Sequence, residues 1–206
     1  MRPSVVVLDY GSGNLRSAQR AVERAGAEVE VTADPARAIA AAGLVLPGVG
    51  AFAACRAGLR AAGGDDVVAE RIARERPVLG ICVGMQVLFE TGEEHGVATA
   101  GLGVFPGRVE RLGARILPHM GWNTVAAANG SAFFAGAAAD TRYYFVHSYG
   151  VGVGDRRLEA ARVSTTRHGS DFVAAVETPL VSATQFHPEK SGAAGAALLT
   201  NWLGTL

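Results

Sequence analysis

The chain has 206 residues, with 19 basic and 19 acidic side chains and a formal net charge of zero; it is long enough to bury a core without covalent staples and carries no polybasic footprint for nucleic acid or an anionic membrane. Two cysteines, Cys55 and Cys82, exclude a disulfide framework, and Met1-Arg2-Pro3 leads into a strand with no apolar signal-peptide core, so a reducing cytoplasm is expected. Ala38 to Cys55 is uncharged but is broken by Pro47 and three glycines, and it falls short of a membrane span of about 20 residues.

Ser4 to Leu8 is a β-branched run ending at Asp9-Tyr10-Gly11-Ser12-Gly13-Asn14. Leu15, Ala18, Val22 and Ala25 then recur at helical spacing, with Asn14 as N-cap and Gly26 as the stop. Gly11-Ser12-Gly13 lacks the third glycine of a dinucleotide fingerprint and reads as a strand-to-helix turn. Glu28 to Thr32 is a second strand, Asp34-Pro35 starts a helix reaching about Ala41, and Leu44-Val45-Leu46 is a third strand. Helix follows from about Ala51, and Asp65 to Glu75 is another, with Val68 and Ile72 one turn apart. Strands and helices alternating with short connections predict a flavodoxin-like, doubly wound and mostly parallel sheet covered on both faces.

Val78 to Ile81 reads as the fourth strand, and Val87-Leu88-Phe89 resumes with residues that suit a helix. Cys82 falls on the turn between them, in Gly80-Ile81-Cys82-Val83-Gly84. A Gly-X-nucleophile-X-Gly turn reverses sharply without Cβ clashes, lifts the nucleophile above the strand end and aims a helix N-terminus at it, which favours a thiolate. Alone, the same residues also describe a buried cysteine in a glycine-punctuated strand.

Past Gly92 the texture changes. Val104 to Leu112, Arg115 to Leu117, Trp122 to Val125, Tyr143 to His147, Leu158 to Thr165, Phe172 to Val176 and Leu180 to Phe186 read as short strands without long helices between them, which suits antiparallel pairing. Ala126 to Ala139 is small and turn-prone. Gly192 to Leu206 restores a helix with Leu198, Leu199, Trp202 and Leu203 on one stripe. No repeat or linker divides the chain, so residues 1–206 are expected to form one domain.

A thiol with a pKa near about 8.5 needs a base, and the base needs an orienting group. His187 in Gln185-Phe186-His187-Pro188-Glu189-Lys190 ends a strand, and Glu189, two residues on, can lie beside its imidazole. Cys82, His187 and Glu189 thus form a candidate nucleophile, base and orienter. The Val83 amide follows the nucleophile, and Pro47-Gly48-Val49-Gly50 is a candidate for a second oxyanion donor. Cys55, His95 and His168 read as structural or surface residues, and no spacing suggests a metal site.

Pro47-Gly48-Val49-Gly50, Gly80 to Gln86 and His187-Pro188-Glu189, in that order, resemble the three motifs of the class I (triad) glutamine amidotransferases over nearly the full chain. Asp9 to Leu15, Pro118 to Asn123 and Tyr143 to Tyr149 are similar to one branch of that family, the glutaminase subunits of imidazole glycerol phosphate synthase in histidine biosynthesis. The resemblance implies that Cys82 attacks the glutamine side-chain amide and that His187 and Glu189 complete a triad. It implies substrate contacts from Gly48, Val49, Gly50, Val83, Gln86, His147, Ser148 and Tyr149. It also implies a (β/α)₈ cyclase partner receiving the ammonia, a docking face near Gly11, Asn14, Met120, Trp122, Asn123 and Lys190, and no cofactor. Alternatives are a glutaminase subunit of another synthase, a cysteine hydrolase on a similar sheet, and a silent scaffold that only binds the barrel.

Overall fold

A computed structural model describes residues 1–206. In its first half β1 (Ser4–Leu8), β2 (Glu28–Thr32), β3 (Gly43–Gly48) and β4 (Val78–Cys82) alternate with α1 (Leu15–Ala25), α2 (Pro35–Ala40), α3 (Phe52–Ala61) and α4 (Gly64–Ala73). A single turn, α5 (Val83–Gln86), opens the second half. Short strands follow: β5 (Phe89–Glu94), β6 (Val97–Ala100), β7 (Phe105–Arg111), β8 (His119–Thr124), β9 (Arg142–His147), β10 (Tyr149–Val151), β11 (Arg162–His168), β12 (Ser170–Glu177) and β13 (Val181–Thr184), before α6 (Gly192–Leu203).

Seven strands form the main sheet in the order β11-β12-β13-β4-β3-β1-β2. The five from β13 to β2 are parallel, and β12 and β11 add on antiparallel. This is the expected mostly parallel, doubly wound architecture with an antiparallel portion from the C-terminal half. Its inner strands are apolar throughout because both faces are covered: every residue of β3 and β4 is buried. The chain moves outward from β1 to β2, then back across β1 to β3 and β4. With right-handed crossovers, α1 therefore lies on one face and α2, α3 and α4 on the other. Consistent with that, α1 packs on α6, while α4 packs on both α2 and α3.

Local chemistry fixes the helix ends as expected. Asn14 Oδ1 accepts from Ser17 N at 3.4 Å, Gly26 closes α1 at φ 118°, and Asp34 caps α2 by accepting from Ala36 N at 2.8 Å. Two smaller sheets, β10-β7-β5-β6 and β8-β9, lie beside the main one. No helix is long and apolar enough to cross a membrane.

Three expectations are corrected. Val87-Leu88-Phe89 does not continue a helix, because Leu102 N donates to Val87 O (2.8 Å) and Phe105 N to Leu88 O (3.0 Å), drawing the segment into the small sheet. Arg115 to Leu117 joins no strand ladder: Ile116 O accepts from His168 Nε2 at 2.8 Å, and the Ile116 side chain is exposed. Leu158 belongs to a 3₁₀ turn over Arg156–Leu158, capped by Asp155, and the strand begins only at Arg162.

Arg71 shows what joins α4 to the sheet. Fully buried, it donates to the carbonyls of Ala38 (2.7 Å), Ile39 (3.3 Å), Ala41 (2.9 Å), Ala42 (3.1 Å) and Pro77 (2.7 Å), with no carboxylate nearby. Burial pushes its guanidinium down to about 10, so it stays charged at neutral pH. Arg71→Met takes a donor from all five carbonyls, leaving Pro77 O only the Leu44 N–H and Ala41 O only Arg76, and is expected to destabilise the fold by about 3–5 kcal/mol, read as a lowered urea midpoint at unchanged slope.

Candidate active site

The carboxyl ends of β3, β4 and β13 converge beside the point where strand order reverses, the usual ligand site of an open α/β sheet. Cys82 ends β4 at φ 57° and ψ −115°, a backbone region that side-chain-bearing residues rarely hold. The flanking glycines permit this elbow. A Cβ on Gly84 would lie 1.8 Å from Leu46 O, and one on Gly80 would lie 2.8 Å from Gly84 O. Since α5 is a single turn, the helix end expected behind Cys82 reduces to the free amides of that turn.

His187 follows β13 in extended conformation and is anchored on both sides. Its N–H donates to Tyr144 O at 2.9 Å, and its carbonyl accepts from Ser191 Oγ at 2.7 Å. A 3₁₀ turn, Pro188–Lys190, rather than a continued strand, brings Glu189 back so that Oε1 accepts from His187 Nδ1 at 2.7 Å. That contact leaves Nε2 for the cysteine. Burial alone would lower the His187 imidazole, but the Cys82 sulfur and the Glu189 carboxylate outweigh it and raise its pKa to about 9.

A cavity of about 240 Å³ opens in front of Cys82, lined by residues of the main sheet's loops and of both small sheets. That is small against the roughly 300–1,000 Å³ of typical ligand pockets and suits an amino acid. Of the expected residues, Cys82, His187, Val49, Gly50, Val83, Gln86, His147, Ser148 and Tyr149 all line it. Gly48 does not: its missing side chain lets β3 pack on the elbow, where a Cβ would meet Gly84 N at 2.5 Å. The Val49 N–H donates to Ser12 Oγ at 3.2 Å, while Val49 O accepts from Ser12 Oγ at 2.9 Å and from Cys55 Sγ at 3.2 Å. The Val49 amide therefore does not point into the cavity.

Strand β8 separates the expected docking residues by its two-residue period. Met120 and Trp122 face outward, 67% and 53% exposed, and Trp122 packs edge-on against Tyr144, over which Lys190 Nζ sits at 5.9 Å. Asn123 faces inward instead, its amide bonded to His119 Nε2 (3.3 Å) and Arg167 O (3.0 Å). Gly11 is exposed, Asn14 is the cap of α1, and Lys190 also lines the cavity. Two residues escaped the sequence reading. Glu94 is the one acidic side chain lining the cavity, and Gln185 lies fully buried behind Cys82.

His119 and His147 are held neutral, lowered to about 4 and about 3 chiefly by burial and then by neighbouring histidines. The unfolded chain protonates both near about pH 6.5, so stability falls as pH drops from there through these values, by about 1.4 kcal/mol per pH unit for each group. His187 acts oppositely: its contribution is complete below about pH 6.5 and is lost as pH rises toward 9. Urea-unfolding midpoints measured from pH 4.5 to 9 are expected to peak near pH 6.5, and His119→Phe to flatten the acid limb.

The family model described as glutamine amidotransferase class-I matches residues 6–205. Among curated relatives, a protein of Corynebacterium diphtheriae is 62% identical over 207 residues, covering 98% of this chain and 99% of its own length. One of Thermobifida fusca is 60% identical over 211 residues, covering 100% of both. Both are named imidazole glycerol phosphate synthase subunit HisH. Among solved structures, one described as a glutamine amidotransferase superposes with a TM-score of 0.74 at 20% identity, over 98% of this chain and 99% of its own. A chain from the structure of PurLQS of Thermotoga maritima gives 0.73 at 22%, over 99% of each, so the fold is shared across the group. The chain belongs to the class-I glutamine amidotransferase family.

Proposed function

We propose that this protein is the glutaminase subunit of an imidazole glycerol phosphate synthase, a single glutamine amidotransferase domain over residues 1–206 acting in the cytoplasm in histidine biosynthesis. The observation that carries the reading is the strained Cys82 at the end of β4, beside a His187–Glu189 pair from the adjacent parallel strand, in a cavity of amino-acid size. The near-full-length identity to the two named relatives supports the branch.

Cys82 Sγ attacks the side-chain amide carbon of glutamine, and the Val83 amide takes the developing oxyanion. The C–N bond breaks as His187 gives a proton to the departing nitrogen, releasing ammonia and leaving a γ-glutamyl thioester. Water, deprotonated by His187, then attacks the thioester, the thiolate leaves and glutamate is released. Glu189 holds Nδ1 so that Nε2 serves both steps. Glu94, with Oε2 accepting from Phe52 N at 2.9 Å, meets the substrate's α-ammonium, and the His147-Ser148-Tyr149 backbone closes around its α-carbon end.

The ammonia passes to a (β/α)₈ cyclase docked on Met120 and Trp122. These stand opposite Val146 and Tyr144 across the β8–β9 pair, and Val146 lines the cavity mouth with Lys190. Mixing the protein with such a cyclase, the phosphoribulosyl formimino carboxamide ribonucleotide that the cyclase converts, and ¹⁵N-amide glutamine should give glutamate and ¹⁵N-labelled imidazole glycerol phosphate. Glutamate without label transfer would point to another synthase.

A further inference from the structure

Two carboxamides beside Cys82, Gln86 in the cavity lining and Gln185 behind it, are locked in one direction by a group that can only accept. The Tyr149 carbonyl oxygen lies 2.9 Å from Gln86 Nε2 and 2.8 Å from His147 Nδ1. A carbonyl has no proton to give, so Gln86 presents its amino group there and His147 its Nδ1–H. Gln86 Nε2 also lies 2.9 Å from Gln185 Oε1. The oxygen of Gln185 is thereby fixed toward Gln86, which turns its Nε2 toward Cys82 Sγ, 3.9 Å away.

The other end is equally determined. With Nδ1 donating, the neutral His147 ring accepts at Nε2 from His119 Nδ1 at 3.2 Å. His119 Nε2 in turn accepts from Asn123, whose Oδ1 takes the Thr124 N–H at 2.9 Å. The direction of every bond in this chain agrees, from strand β8 to the sulfur.

We propose that Gln185 is a further catalytic residue of this site: an amide donor aimed at the Cys82 sulfur from behind the cavity, its direction dictated by the Tyr149 carbonyl. The sulfur is negative when it attacks and again when it leaves the thioester, and neutral between. A fixed N–H donor therefore favours both charged states over the acyl-enzyme. Gln185 is fully buried and outside the cavity lining, so it touches the reacting sulfur without touching glutamine. Two consequences follow for the lining residues. Gln86 has both amino hydrogens engaged and offers a substrate only its Oε1, an acceptor for N–H donors. His147 has both ring nitrogens engaged and offers neither.

The assignment rests on the Cys82 thioester reading, and the test separates the two. Gln185→Met keeps the side-chain volume and removes the donor. The rate of Cys82 alkylation by iodoacetamide is followed against pH by mass analysis of the Cys82 peptide in the chain alone, and glutamine turnover is followed with the cyclase. The variant is expected to need a higher pH for half-maximal alkylation, to react at least tenfold more slowly at neutral pH, and to lose kcat at least tenfold with KM within threefold. Gln86→Leu, which frees Gln185 to turn over, is expected to move alkylation the same way by less, and it gives the answer should Gln185→Met fail to fold. A wild-type alkylation profile in both variants, or a rise in KM at constant kcat in Gln185→Met, would overturn the assignment. If glutamine fails to protect wild-type Cys82 and no glutamate is released, the thioester reading fails instead, and the alkylation profiles still report on the donor.

Discussion

Cys82→Ser is expected to lower glutamine hydrolysis by at least about a thousandfold with the fold intact. Serine keeps the Cβ and the elbow geometry at φ 57°, so any loss is chemical rather than structural. His187, with its pKa raised to about 9, is protonated at neutral pH beside the sulfur. An imidazolium in that place is ready to protonate a leaving nitrogen. A serine hydroxyl is a far weaker nucleophile than a thiol and needs a free base, and replacing the sulfur also removes the first of the two causes that raise the His187 pKa, the other being Glu189 on Nδ1. Glutamate release measured with the cyclase present, alongside matched thermal unfolding curves, checks this. A Cys82→Ser rate within tenfold of wild type would remove the thioester from the mechanism.

Continuous apolar runs made β1, β3 and β4 legible, because strands buried on both faces leave no alternative composition, while the edge strand β2 showed in the alternation of Glu28-Val29-Glu30-Val31. The elbow was legible because two glycines and a cysteine at fixed spacing describe one backbone shape, and Gly80 and Gly84 do have the close approaches that shape demands. The β5–β6 pair was not. Phe89-Glu90-Thr91-Gly92-Glu93-Glu94 has no period of two and a single β-branched residue, Thr91, and its pairing depends on contacts with residues 101–105 that no local pattern encodes. Glu94 was missed with it. Gln185 was in view beside His187, but its relation to Cys82 depends on Gln86 and Tyr149 from two other elements. Asn123 was grouped with Trp122 on the docking face, although strand period alone puts adjacent residues on opposite faces.

The protein alone is expected to hydrolyse glutamine at least about a hundredfold more slowly than with its cyclase bound, and Ser12→Ala to narrow that gap. Only the Val83 amide is placed as an oxyanion donor by the elbow itself. The second must come from the Gly48-Val49-Gly50 loop, where the Val49 N–H is held by Ser12 Oγ at 3.2 Å and the Val49 carbonyl accepts from the same hydroxyl at 2.9 Å. One side chain thus grips both polar atoms of Val49 and keeps its amide out of the cavity. A missing oxyanion donor costs about 3–4 kcal/mol of transition-state stabilisation, which sets the expected factor at about 10²–10³. Glycines on either side, Gly50 at φ 88°, let the peptide turn without moving β3, and a partner that favours the turned form raises its population. Alanine at position 12 frees the Val49 N–H and leaves only Cys55 Sγ on the Val49 carbonyl, at 3.2 Å, while keeping the turn between β1 and α1, so turnover by the lone chain should rise severalfold while the rate with the cyclase stays nearly constant. Steady-state glutamate release, with and without cyclase, measures both. Full activity in the lone wild-type chain would show that the loop is already competent. Equal losses in both settings for Ser12→Ala would show that Ser12 holds the site together rather than holding it off.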